Sequence, residues 1–242
     1  MATFNSYRDY WAFQDAVKHR TRYVRDEGSE VFLNVVLITA QARAQTLPVG
    51  TLFWRAQPGC DLDENGEPVP YKPERMKPLK DSATEGRANP KGIPCLYVAT
   101  CKETALAEVR PWKESLISIG QFKLQRPLRV VNCTLHADDS NVIYLEEPSA
   151  GEREQRVWSD IDRAFATPVA RSDDRADYAP SQIISDLFKA NGFDGVGYMS
   201  SLGTGHNIAL FDLNCAELVN CRVSQTTTID FKFKEVGKPY SM

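Results

Sequence analysis

The sequence predicts an α+β fold in which short strands are interrupted by helices at irregular spacing, preceded by a helical N-terminal segment. Apolar residues recur at helical spacing over the first 45 residues, short strand patterns follow residue 50, and no glycine-rich dinucleotide fingerprint follows a strand. With 242 residues, 42% of them hydrophobic, the chain can bury a full core. We expect a helical extension over residues 1–48 and one larger domain over residues 49–242.

The N-terminal segment predicts two helices, because apolar residues recur every three or four positions. They cover about residues 7–25 and 29–45. The first strand follows at residues 51–56. Alternation with a period of two residues puts Arg55 on the same face of this strand as Phe53, so a charged side chain stands on a strand of the core.

The next part of the chain predicts a long loop, a strand and a helix. Residues 60–80 are rich in Asp, Glu, Pro and Lys and lack periodicity, so we expect a solvated loop or insertion with little chemistry. A strand follows at residues 95–99. Thr100 and Glu103 then stand in the Thr-x-x-Glu spacing of a capping box, which predicts a helix that ends before Pro111.

The second half of the chain predicts further strands and helices at uneven intervals. They are strands at 116–122 and 128–133, helices at 152–165 and from 180 to the Asn-Gly stop at 191–192, paired strands at 193–199 and 207–211 around a loop at 200–206, and an edge strand at 226–233. This uneven order favours an α+β domain over a regular alternation of strands and helices.

Charge and composition narrow the function. A formal net charge of −3 gives no general attraction to nucleic acid or anionic lipid, so we expect neither as a direct partner. No signal-peptide pattern and no apolar run near the roughly 20 residues of a membrane span is present, which favours a cytoplasmic protein. The six cysteines form no Cys-x-x-Cys pair and indicate reduced packing residues, and the three histidines lack ligand spacing, so we expect no metal site.

Each candidate functional residue has an ordinary structural explanation when it is taken alone. Arg55 could pair with a buried carboxylate, and Arg87 could be a solvated loop charge. Tyr97 could be a packed strand aromatic. Glu108 could face solvent on its helix, and Ser200 could be an ordinary loop residue. Single residues therefore do not identify a function.

Several separated blocks, taken in order, resemble the RES domain family. They are Leu-Phe-Trp-Arg-Ala at 52–56, Gly-Arg-Ala-Asn-Pro-Lys-Gly-Ile-Pro at 86–94 with Leu-Tyr-Val-Ala at 96–99, Glu-Thr-Ala-Leu-Ala-Glu-Val-Arg-Pro at 103–111, Tyr-Ala-Pro-Ser-Gln at 178–182, Gly-Phe-Asp-Gly-Val-Gly-Tyr-Met-Ser-Ser at 192–201 and Asn-Ile-Ala-Leu-Phe-Asp at 207–212. The resemblance covers about residues 51–212. It implies a core similar to ADP-ribosyltransferase toxins and an enzyme that splits NAD, its substrate, between nicotinamide and ribose without a further cofactor.

The resemblance also implies roles for individual residues. Arg55 and Arg87 would bind the phosphates, since a guanidinium can engage phosphate oxygens in pairs. Tyr97 would line the nicotinamide pocket. Glu108 would stabilise the ribosyl cation, and Ser200 would position the ribose. The residues expected to take part in catalysis are thus Glu108, Arg55 and Ser200.

The sequence leaves alternatives for individual site residues, for the partner and for the acceptor of the reaction. Asn207 is a weaker candidate for binding, and the Tyr-x-Ser spacing favours Ser200 over Ser201 as the family serine.

Members of the family are typically toxins blocked by an Xre-like helix-turn-helix antitoxin, which makes such an antitoxin the expected partner; a homodimer is also open. Water or phosphate could accept the ADP-ribosyl group. The alternatives are a protein ADP-ribosyltransferase and a noncatalytic interaction module built on the N-terminal helices.

Overall fold

The computed structural model describes residues 3–79, 83–135, 144, 146–167 and 175–230. Its helices are α1 (Asp9–Asp15), α2 (Glu27–Ala40), α3 (Pro73–Met76), α4 (Lys102–Glu108), α5 (Ala150–Ala166) and α6 (Ala179–Ala190). Its strands are β1 (Ala44–Leu47), β2 (Leu52–Pro58), β3 (Asp61–Leu62), β4 (Pro68–Val69), β5 (Leu96–Ala99), β6 (Leu116–Leu124), β7 (Leu128–Asn132), β8 (Gly195–Met199), β9 (His206–Leu210) and β10 (Ala216–Gln225). These elements confirm the predicted α+β class with N-terminal helices.

Eight of the strands form one mixed sheet in the order β1-β7-β8-β9-β5-β2-β6-β10. Neighbours β7 and β8 run parallel, and the other neighbouring pairs run antiparallel. The predicted pairing of the strands around residues 200–206 is confirmed, because β8 and β9 pair from Gly195 opposite Leu210 to Met199 opposite His206. Strands β9, β5 and β2 lie side by side, so side chains from three distant parts of the sequence meet there.

The N-terminal helices share a core with helices from the second half of the chain. Phe13 of α1 stacks on Phe32 of α2 with ring centroids 4.7 Å apart. Both rings belong to a buried cluster that also contains Trp158 of α5. The described parts of residues 1–48 and 49–242 therefore pack against each other through this cluster. No described helix is both long enough and apolar enough to cross a membrane.

The end of the N-terminal segment differs from the prediction. The first helix, with a π-helical turn at its end, stops at Arg20 rather than near residue 25, and the second stops at Ala40 before a 3-10 turn. Residues 44–47 then form β1, an edge strand paired with β7. The strand pattern is weak because Gln45 and Thr46 are exposed at this edge.

Residues 60–79 are not the unstructured loop that their composition predicts. Strands β3 and β4 pair with each other, and α3 follows them. The Met76 side chain is fully buried and Tyr71 is buried, both in the cluster that contains Phe53 of β2. These two apolar residues anchor the segment, while the charged residues and prolines around them give it the composition of a loop.

The predicted capping box does not form. Helix α4 begins at Lys102 after Cys101, and no side chain caps it. The Thr100 hydroxyl instead accepts a hydrogen bond from the backbone N–H of His206 at 2.9 Å. Because β5 and β9 are neighbours in the sheet, the Thr100 hydroxyl bonds to the backbone of β9 and does not cap α4.

The edge strand at the C-terminal end lies earlier than predicted. β10 pairs with β6 along its length, with a bulge between Leu218 and Asn220. Residues 226–230 have no regular structure, and residues 231–233 of the predicted strand lie outside the described residues. Partial exposure of both faces of β10 explains why alternation of apolar and polar residues is weak there.

Candidate active site

A cavity of about 450 Å³ is lined by residues of β2, β5, β9 and α4. Most of the predicted site residues line it, namely Arg55, Arg87, Tyr97, Glu108 and Asn207. Ser200 is not among the described residues of the lining. It contacts the side chain of Glu108 instead.

The carboxylate of Glu108, the last residue of α4, is held by two donors on one oxygen. Oε1 accepts hydrogen bonds from Ser200 Oγ at 2.8 Å and from Asn207 Nδ2 at 2.6 Å. Ser200 is 9% exposed and Asn207 is 5% exposed, whereas Ser201 is exposed. Hydrogen bonds to a charged group are about twice as strong as neutral ones. The geometry thus unites three predicted residues, with Ser200 rather than Ser201 at the carboxylate.

The loop between β8 and β9 is locked against α4. Thr104, one turn before Glu108, is fully buried, and its Oγ1 accepts a hydrogen bond from the Gly205 N–H at 3.0 Å. The Ser200 hydroxyl also accepts one from the Gly203 N–H at 3.1 Å. A Cβ on Gly203 would lie 2.9 Å from the Thr104 Cα, so this close approach requires glycine.

Arg55 is fixed by backbone carbonyl groups. Its Nε donates to the Met76 carbonyl at 2.8 Å, and its Nη1 donates to the Tyr97 carbonyl at 2.9 Å. Burial lowers the pKa of Arg55, but arginine remains protonated in proteins. Among the described residues no carboxylate lies within 4 Å of the guanidinium as an ion-pair partner. The buried-carboxylate alternative therefore has no support in the described part of the chain.

Tyr97 holds the loop that carries Arg87. Its hydroxyl donates to Asn89 Oδ1 at 2.6 Å and accepts from the Ala88 N–H at 2.9 Å. The loop approaches so closely that a Cβ on Gly86 would lie 2.4 Å from the Tyr97 hydroxyl. Burial raises the pKa of Tyr97 well above its usual value, so the hydroxyl keeps its proton and its role as a donor.

The RES domain family model matches residues 52–234, a span that contains every predicted site residue. The chain belongs to the RES domain family. No curated protein sequence matches this RES domain protein. Among solved structures it is similar to a chain of the M. tuberculosis MbcT–MbcA toxin–antitoxin complex, with 15% sequence identity over 79% of this chain and 92% of that one and a TM-score of 0.39.

Three aromatic residues of the RES domain cavity were missed by the sequence analysis: Trp54, Tyr178 and Tyr198. Burial raises the pKa of Tyr198, and the nearby positive charge of Arg87 partly opposes that shift. Tyr198 and Tyr178 lie inside two of the matched sequence blocks, which was a usable signal. Trp54 lies inside the first matched block, at 52–56, so the same signal was available for it.

The RES domain cavity offers a defined set of chemical groups. Glu108 is the only carboxylate among its described lining residues. No group of three or more His, Cys, Asp or Glu side chains in the described part of the chain is placed to hold a metal ion. The groups available to a ligand are thus one fixed carboxylate, two guanidinium groups and several aromatic rings.

Proposed function

We propose that this RES domain protein degrades NAD by breaking the bond between nicotinamide and ribose. The observation that supports this most strongly is the fixed carboxylate of Glu108. Both of its hydrogen bonds are on Oε1, and the described residues give none to Oε2, so that oxygen can face a ligand. A carboxylate held in this way can stabilise the positive charge that a ribosyl group acquires in its transition state.

A single carboxylate suits this substrate. The nicotinamide ring of NAD is positively charged, so when the bond between its N1 and the ribose C1′ breaks, the electron pair goes to N1 and a neutral molecule leaves without needing a proton. Glycosidases that expel a hydroxyl usually need a second carboxyl group as a general acid. Glu108 stands alone among the described lining residues, which favours an N-glycosidic cation over an ordinary sugar.

The two arginines fit the pyrophosphate. A half-buried guanidinium without a carboxylate partner is unfavourable until an anion binds to it. Arg55 keeps its remaining N–H groups for such an anion, because the described part of the chain engages only Nε and Nη1, through backbone carbonyls. Arg87 supplies a second cation to the same cavity.

The remaining predicted residues act around these groups. Tyr97 offers a ring to the nicotinamide, since its hydroxyl is already engaged with Asn89 and Ala88. Asn207 and Ser200 position the carboxylate of Glu108, which is how we propose that Ser200 acts on the ribose. Their donors hold one rotamer of the carboxylate before substrate arrives, so little ordering remains to be done on binding.

A small nucleophile completes the reaction at the ribose C1′. Water forms a new C–O bond there, gives ADP-ribose and releases a proton. Phosphate forms the bond through one of its oxygens and gives ADP-ribose that carries a phosphate on that carbon. Either acceptor fits the same position, so the phosphate dependence of the reaction distinguishes them.

We also propose that the enzyme is a toxin held inactive by an antitoxin. This rests on its membership in the RES domain family, whose members are typically toxins that deplete NAD. An Xre-like antitoxin that covers the cavity would exclude NAD and keep the protein harmless. Induced expression should stop growth, and the Glu108→Gln variant should not; growth arrest that is independent of Glu108 would contradict a toxic action through NAD.

The decisive test is nicotinamide release from NAD by the purified protein, with and without phosphate. Glu108→Gln should lower turnover about 100- to 1,000-fold while NAD still binds, because the carboxylate acts mainly in the transition state. Glu103→Gln is the matched control, since Glu103 is an exposed carboxylate on the same helix. No release at any enzyme concentration, or equal release by the Glu108 variant, would overturn the proposal. Transfer of label from NAD onto lysate proteins would instead identify a protein ADP-ribosyltransferase.

A further inference from the structure

We propose that a second cavity, formed in part by the segment around α3, binds the adenylate half of the substrate. This cavity has a volume of about 670 Å³. Arg55, Gln57 and Tyr97 line both cavities, so the two adjoin at these residues. The inference rests on the proposed function, which puts the nicotinamide half of NAD beside Glu108 in the first cavity.

The lining of the second cavity suits a nucleotide. Arg75 and Lys77 supply two cations in addition to Arg55, against the single carboxylate of Glu74 among the described lining residues. Outside the lining, Asp61 Oδ1 lies 3.7 Å from the Arg75 guanidinium and offsets part of its charge. Guanidinium and ammonium groups bind phosphate, and apolar side chains such as that of Leu79 can cover a flat base. The net positive charge of the lining therefore favours an anionic ligand, and its apolar side chains favour a ligand that carries a flat ring.

Gln57 adds a specific polar group at the junction of the two cavities. Its amide oxygen is buried and has no hydrogen-bond partner among the described residues. Buried polar atoms in native proteins are almost always paired, so this acceptor is available for a hydrogen bond from a bound ligand. A ribose hydroxyl or the amino group of adenine can donate such a hydrogen bond.

The volume of the first cavity suits one half of NAD, so the other half needs a second cavity. Pockets for compact ligands usually measure about 300–1,000 Å³. The first cavity, at about 450 Å³, is at the lower end of that range, and several aromatic side chains occupy its walls. NAD consists of two nucleotides joined through their phosphates. One half fills the first cavity, and Arg55 stands where the phosphates would pass to the second.

The cations of the second cavity stand on an anchored segment. Met76 is fully buried, and its carbonyl accepts the hydrogen bond from Arg55 Nε. The Arg75 guanidinium lies 4.0 Å from the centroid of the Tyr71 ring, a cation–π contact that limits its motion. The Tyr71 hydroxyl donates to the Pro58 carbonyl at 3.1 Å. A preformed cavity loses less conformational freedom when a ligand binds.

The activity test compares NAD with nicotinamide mononucleotide, which carries the same scissile bond but no adenylate. The wild-type protein should prefer NAD in kcat/KM. Arg75→Ala with Lys77→Ala should reduce that preference about tenfold, through a higher KM for NAD, because it removes charge-assisted contacts to the adenylate half. Lys77→Glu, a single charge reversal in the lining that leaves Arg75 in place, should reduce it in the same direction. Lys72→Ala is the control, since Lys72 is an exposed cation of the same segment outside the cavity lining.

A binding test does not depend on turnover. Calorimetry should detect ADP binding to the wild-type protein and to Glu108→Gln, and about tenfold weaker binding to the double variant at positions 75 and 77. Absence of ADP binding, or equal binding by the double variant, would overturn the second cavity as the adenylate site. Equal kcat/KM values of the wild-type protein for NAD and nicotinamide mononucleotide would overturn that assignment as well. If ADP binds as expected but no nicotinamide is released, the cleavage proposal fails and the nucleotide site stands.

Discussion

The two ends of the candidate site are built in different ways. At the Glu108 end (Glu108, Ser200 and Asn207), side chains that match family motifs bind one another directly. At the Arg55 end (Arg55, Tyr97 and Met76), the guanidinium is held by backbone carbonyl groups. Those carbonyls belong to the backbone, so their positions depend on how Met76 and Tyr97 are packed and not on a side-chain hydrogen bond to Arg55.

This difference shows where function can depend on a segment that looks unimportant. A side chain that is bound by side chains has partners that the sequence can reveal. A side chain that is bound by carbonyl groups depends on how the backbone is anchored, and α3 is anchored by the buried side chain of Met76. We therefore expect changes in the core beneath α3 to alter the Arg55 end, and changes in hydrogen bonding to alter the Glu108 end.

The largest expected effect is on the Arg55 end and comes from Met76→Ala. Removing a fully buried methionine side chain should lower the free energy of unfolding by about 2–4 kcal/mol, because a cavity is left in the core. The KM for NAD should also rise, since the carbonyl that holds Arg55 is no longer anchored. Urea unfolding and nicotinamide release measure the two effects.

Leu62→Ala is the control for this change. Leu62 belongs to the same segment but is 65% exposed, so truncation of its side chain should change the free energy of unfolding by less than about 0.5 kcal/mol. If Met76→Ala destabilises the protein but leaves the KM for NAD unchanged, the segment supports the fold without controlling Arg55, and the contrast between the two ends would be lost.

The second prediction tests whether the shape of the Arg55 side chain matters as well as its charge. Arg55→Lys keeps the positive charge, but an ammonium group cannot reach two carbonyls and a phosphate in the planar fork of a guanidinium. We expect kcat/KM for NAD to fall about 30-fold, which corresponds to about 2 kcal/mol. Steady-state kinetics measure this fall. An unchanged kcat/KM would mean that charge alone is required at this end.

Much of the candidate site could be predicted from the sequence. Arg55, Arg87 and Glu108 stand in local patterns of strand, loop and helix, and the order of these patterns identified the family before any contact was known. The spacing of Tyr198 and Ser200 favoured Ser200 as the family serine, and Ser200 is the serine that contacts the carboxylate of Glu108. Local sequence therefore predicted which residues the fold brings together around the cavity and, for strands and long helices, where they lie.

The rest depended on contacts between segments that are distant in the sequence. Thr100 was assigned to a helix cap, but the neighbouring strand takes its hydroxyl. The composition of residues 60–79 predicted a solvated loop, because the two buried side chains that anchor it, Tyr71 and Met76, stand among many charged residues. Strand β1 was missed and the C-terminal edge strand was placed too late in the chain, since exposed edges weaken the alternation of polar and apolar residues. Pairing and packing decided each case, and neither can be read from a short window.

The third prediction concerns the locked loop at the Glu108 end. Gly203→Ala places a Cβ 2.9 Å from the Thr104 Cα, closer than such atoms approach in proteins. The loop must then shift, which should lower the free energy of unfolding by about 1–2 kcal/mol and weaken the contact between Ser200 and Glu108. Gly151→Ala is the control, because a Cβ there meets no atom within 4 Å, and it should be neutral or slightly stabilising. Equal unfolding midpoints for the two variants would show that the loop is not locked.

The smallest expected effect tests how far Ser200 acts through Glu108. In Ser200→Ala the carboxylate keeps its hydrogen bond from Asn207, so the loss should be partial: kcat should fall about fivefold to tenfold, or about 1 kcal/mol, with little change in the KM for NAD. Ser201→Ala changes an exposed neighbour and should leave kcat as in the wild type. A rise in KM with an unchanged kcat would mean that Ser200 contacts the substrate directly. Ser200 would then bind the ligand itself, and its hydrogen bond to Glu108 would serve only to hold the loop between β8 and β9.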